Sequence, residues 1–131
     1  MATGKAAAFS VALDIVTAVL NYFAQKKAVD DANKALEKLW PQICKDVADH
    51  PWCKGVLLVF RFCGMKPSPS APGVTPSPAQ FGYLYWQIGE SADDARSLIA
   101  QGTYFEPALP NDSWQWYDKE VWLDASKVKE K

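Results

Sequence analysis

The chain has 131 residues, 49% of them hydrophobic, with 14 Lys and Arg against 15 Asp and Glu. That length sets one domain with a core of modest size. No stripe of Lys and Arg interleaved with aromatics or glycines occurs, which excludes a nucleic-acid face.

Charge is uneven by halves: residues 1–66 carry nine basic and six acidic groups, residues 67–131 five and nine. Cys44, Cys53 and Cys63 are odd in number and match no disulfide framework, so a reducing, cytoplasmic setting follows. With His50 they spell C-x5-H-x2-C-x9-C, which lacks the close ligand pairs of a zinc site. Neither a metal nor another cofactor is expected.

From Ala6 to His50 there is no glycine and one proline, Pro41. Ala8, Val11, Ile15, Ala18, Tyr22, Gln25, Val29, Ala32, Leu36, Leu39, Ile43 and Asp46 recur at alternating steps of three and four. This is the seam of a long amphipathic helix over 1–50. At about 1.5 Å per residue, such a helix is longer than a compact domain of this size needs. Part of it must therefore meet another helix, another chain or lipid. The apolar members, Ala8, Val11, Ile15, Ala18, Tyr22, Val29, Ala32, Leu36, Leu39 and Ile43, form the candidate association seam of a homo-oligomer.

Residues 6–24, "AAAFSVALDIVTAVLNYFA", are apolar nearly all round, and their length approaches that of a bilayer span. Asp14 at the centre costs about 2.5–3.5 kcal/mol on insertion scales, which favours burial between protein helices. Pro41 predicts a kink, and "DHPWCKG" a stop, with His50 capping or packing at the helix end rather than acting as a catalyst.

"GVLLVFRF" (55–62) and "FGYLYWQI" (81–88) read as antiparallel strands. Val56, Leu58, Phe60 and Phe62 with Leu84, Trp86 and Ile88 are expected to face the core. Phe81, Tyr83, Tyr85 and Gln87 are then expected outward, beside Arg61. Between the strands, "KPSPSAPGVTPSPAQ" (66–80) is a proline-rich loop, too poor in backbone donors for a core strand and expected to project from the sheet.

"ESADDARSLIAQG" predicts a short helix capped by Ser91 and Asp94, with Ala95, Leu98 and Ile99 inward and Gly102 as its stop. "SWQWYDKEVWL" predicts a last strand bulged near Asp118, where its alternation changes phase. The tail 125–131 is expected to fray. The fold class is α+β: a long N-terminal helix kinked near Pro41, then a small β-β-α-β unit over 51–124.

The order of "LEKLWPQI", "GVLLVFRF", "YLYWQIGESADDARSLI" and "KEVWL" resembles an uncharacterised bacterial domain. That domain occurs near polymorphic toxins and contractile injection systems. The resemblance implies an Ala-rich helix, strands, a short helix and a Trp-containing final strand, in an accessory, effector or partner-binding protein. It implies no reaction and no site residues.

No glycine-rich phosphate loop follows a strand, and no nucleophile–base arrangement is visible, so no catalytic residue is assigned. The leading expectation is a non-enzymatic protein–protein interaction or assembly module. In it the helix self-associates and a sheet face of Arg61, Tyr83, Tyr85, Trp114 and Trp116 meets a protein partner. The alternative is a membrane-interacting effector or pore-associated protein that inserts residues 6–24.

Overall fold

The structure, a computed structural model, describes residues 26–66, 80–102 and 108–129. Strand β1 (Gly55–Met65) organises it. Val56 through Phe60 are all buried, which a strand achieves only when both of its faces and both of its edges are covered. The sequence supplies the means: five consecutive apolar residues, mostly β-branched or aromatic, before the first charge at Arg61. β2 (Gln80–Gly89) and β3 (Trp114–Asp124) pair with β1 antiparallel on either side, giving the order β2-β1-β3.

One face of the sheet carries Val56, Leu58, Phe60 and Phe62 with Leu84, Ile88, Val121 and Leu123. Helix α1 (Lys26–Asp49) covers it, burying Ala28, Val29, Ala32, Leu36, Trp40, Ile43, Cys44 and Val47. Those positions recur every three to four residues and so form one stripe. Leu36 is fully buried, and its truncation to alanine would cost about 2–5 kcal/mol.

Four positions of the candidate association seam, Val29, Ala32, Leu36 and Ile43, are therefore consumed by the chain's own sheet, and Leu39 packs at its margin. The expectation that they meet another chain is corrected on that ground. Ala8, Val11, Ile15, Ala18 and Tyr22, and with them the first half of the expected helix 1–50, lie outside the described residues, as does most of the loop 66–80. α1 continues through Pro41, where the expected kink is not shown. The proline is exposed, so its missing N–H removes one helix bond and no core contact.

α1 ends where His50 Nδ1 hydrogen-bonds the Asp46 carbonyl at 2.7 Å. The tail is corrected too. Ala125–Lys127 form a 3-10 turn, Val128 is buried, and the Lys129 carbonyl accepts a 2.7 Å hydrogen bond from Trp40 Nε1. A buried indole N–H needs an acceptor, and the chain end provides it. Residues 125–129 are thus packed.

Helix α2 (Ala92–Gln101) lies on the opposite face, over Leu57 and Val59. Ser91 Oγ accepts the Asp94 N–H at 3.1 Å, and the Gly102 N–H closes the last turn on the Leu98 and Ile99 carbonyls. Ala95 is buried so closely on β2 that a side chain at Gly89 would come within 3.0 Å of its nitrogen. Arg96 joins Asp93 to Glu120, pinning α2 to β3, and both carboxylates hold the guanidinium pKa above its ordinary value. Leu98, expected inward, is instead 41% exposed, because Ala95 and Ile99 already fill the short contact with the sheet.

Two strand expectations also change. A register shift between Arg61 and Phe62 leaves Gly82 without a partner on β1. The bulge reverses the alternation, so Phe81 turns to the α1 side and meets Phe62 edge-on at 5.7 Å. β3, by contrast, holds an unbroken register from Asp124 to Trp114, with no bulge at Asp118. The change of phase in its sequence is a change of surroundings: Asp118 and Glu120 sit on the face of Trp116 and Trp122 because each has an arginine partner.

Candidate functional site

Past the part that α2 covers, the second face of the sheet carries an aromatic strip built around an ion pair, with Tyr85 at its inner end packed against the Leu57, Val59 and Ala95 cluster. The register sets Arg61 between Tyr83 on β2 and Asp118 on β3, and sets Cys63 opposite Trp116. Arg61 donates from Nε and Nη2 to the two oxygens of the Asp118 carboxylate, the latter at 2.8 Å, and from Nη1 to the Tyr83 hydroxyl at 3.3 Å. This fork fixes the guanidinium plane, as a lysine at the same place could not. Its carbon lies 5.9 Å from the centre of the Trp116 ring, within cation–π range.

Trp116 meets Tyr83 edge-on at 5.9 Å, and Tyr83 lies 5.7 Å from Tyr85. The indole crosses β1 to lie on Gly82, where an added Cβ would come within 2.6 Å of its Cζ3 atom. The glycine bulge therefore makes the seat for the tryptophan. Tyr83, Tyr85 and Trp116 are all half-buried, anchored on the sheet yet open to contact.

Of the five residues expected on this face, contacts unite Arg61, Tyr83, Tyr85 and Trp116. Trp114 shares the face by register, opposite Met65 at the strand end, but is not joined to the strip. Asp118 is the member the sequence reading missed. Strict alternation from Trp116 through Asp118 to Glu120 would have found it, had a bulge not been assumed there.

The carboxylate of the strip is committed to Arg61, and the histidine of the chain sits at the end of α1, away from it. Among the described residues no group of three or more His, Cys, Asp and Glu side chains is arranged to hold a metal ion. Cys44 and Cys53 are buried, and burial pushes the Cys53 thiol pKa up; Cys63, on the face of the strip, is half-buried. No described helix is long and apolar enough to cross a membrane.

No protein-family model, curated protein or solved structure matches the chain.

Proposed function

We propose that the chain is a non-enzymatic interaction module that presents the Trp116–Tyr83–Tyr85 strip to a protein partner. The observation that carries this reading is the Arg61–Asp118 fork, whose guanidinium also bonds the Tyr83 hydroxyl and lies 5.9 Å from the Trp116 ring centre, so that these two rings are held on the sheet before any partner arrives. Aromatic anchors fixed in advance lose little conformational entropy on binding, and Trp, Tyr and Arg are the residues that dominate interface energies. The resemblance to the bacterial domain near toxins and contractile injection systems makes an accessory role in such a system the natural setting. Self-association belongs in this reading to Ala8, Val11, Ile15, Ala18 and Tyr22, since the later seam positions are taken up by the sheet.

A photo-reactive amino acid in place of Tyr85, expressed in the cell of origin, tests the strip. A discrete adduct that is lost with Trp116→Ala supports the reading; adducts unchanged by Trp116→Ala overturn it. Molar mass in solution, measured with and without residues 1–24, tests self-association, and a concentration-independent monomer for the full chain would remove that part.

A further inference from the structure

Two of the three large hydrophobic side chains that stand exposed among the described residues, Trp52 at 52% and Leu98 at 41%, line one groove. The groove has a volume of about 330 Å³ and lies between the turn that leads into β1 and the outer flank of α2. Asp94, Leu98 and Gln101 follow one another at helical spacing along that flank, and Gly89, at the end of β2, adds no side chain. His50 braces the indole of Trp52 edge-on at 5.8 Å, so the ring is held in place although exposed.

The charge of this groove has one sign. Among the described residues, Glu90 and Asp94 line it, no Lys, Arg or His does so, and neither carboxylate is engaged in an ion pair. The nearest guanidinium on the helix, Arg96, is occupied by Asp93 and Glu120. An exposed indole with a neighbouring leucine and two available carboxylates is complementary to an aliphatic side chain and a cation presented together. The aliphatic group fits against Leu98, and the cation over the indole face, within reach of the acids.

We propose that this groove docks a Lys- or Arg-bearing amphipathic segment of a protein partner, at a surface separate from the Arg61–Asp118 strip. It lies at the opposite end of β1 from that strip, where α2 covers the sheet. The two surfaces can therefore fail independently.

The probe is a short fluorescein-labelled peptide of Lys and Leu patterned to be one-sided as a helix, with a twin carrying Glu in place of Lys. Anisotropy titrations of the full chain are expected to show saturable binding of the basic peptide alone. Affinity should fall as salt is raised from about 50 to about 500 mM. Trp52→Ala and Leu98→Ser should each weaken binding about tenfold. Glu90→Lys with Asp94→Lys should abolish it, whereas Trp116→Ala should leave it unchanged. All of these positions are at least partly exposed, and circular dichroism of each variant is the check that it is folded. Absence of binding, equal binding of the acidic twin, or binding indifferent to the Trp52 and Glu90 changes overturns the proposal. So does a concentration-dependent dimer that Trp52→Ala dissolves, since the occupant would then be a second copy of this chain.

Discussion

Arg61 and Asp118 stand opposite each other across β1 and β3, 57 positions apart in sequence, and meet through two hydrogen bonds. The Arg61 side chain is 16% exposed and that of Asp118 37%, so the pair lies between a surface bridge and a buried one. Removing the acid leaves a largely desolvated guanidinium with the Tyr83 hydroxyl still beside it. Asp118→Asn should therefore cost about 1–2 kcal/mol, more than an exposed pair and less than a fully buried one. Urea unfolding measures it, and a loss indistinguishable from zero would show that the fork does not organise the strip.

Gly82 reports on the same strip through sterics. Alanine there places a methyl group against the Trp116 ring and 3.0 Å from the Arg61 carbonyl. The ring edge can swing away, so Gly82→Ala should cost only about 1 kcal/mol. The indole N–H resonance of Trp116 should shift far more than those of the other tryptophans. An unmoved Trp116 resonance would mean that the ring does not rest on the bulge.

The packed chain end makes a third test. Ending the chain at Lys127 removes the buried Val128 side chain and strips Trp40 Nε1 of its acceptor. The two losses together should amount to about 2–4 kcal/mol, visible as a lowered melting temperature. A chain ending at Lys129 keeps both the Val128 side chain and the Lys129 carbonyl and is the matched control. Equal melting of both truncations and the full chain would contradict the role of the tail.

Thiol chemistry separates the three cysteines. In the native protein Cys63 should react first with a chromogenic disulfide reagent, because Cys44 and Cys53 are buried. Burial raises the Cys53 pKa above its unfolded value, so the neutral thiol in the fold contributes stability below the unfolded pKa. That contribution is lost as pH rises from near 9 through the folded value. Stability should decline over that alkaline window, and the decline should be shallower for Cys53→Ala. A steeper decline would mean that the thiol is not the group responsible.

How much was legible varied with the range of the interaction. The cap at Ser91, the stop at Gly102 and the core set of β1 depend on neighbours a few residues away, and they stand where spacing and residue type place them. Phe81 falls on the other face from the one expected, and Asp118 joins the strip unannounced, because alternation alone does not say where a bulge falls. Gly82 takes the bulge because the Trp116 ring occupies the space that a side chain would fill.

By itself the sequence determined the local elements of this protein: an apolar run of strand length, a capped short helix and an apolar stripe of helical period, each governed by backbone preference and burial. The tertiary structure alone decided what the stripe meets, since Val29, Ala32, Leu36 and Ile43 turn on the chain's own sheet. It also decided which residues far apart in sequence assemble a surface. The order β2-β1-β3 brings Tyr83 and Trp116 to the two sides of Arg61, and that order depends on closing long loops around a buried central strand, a choice that periodicity does not encode.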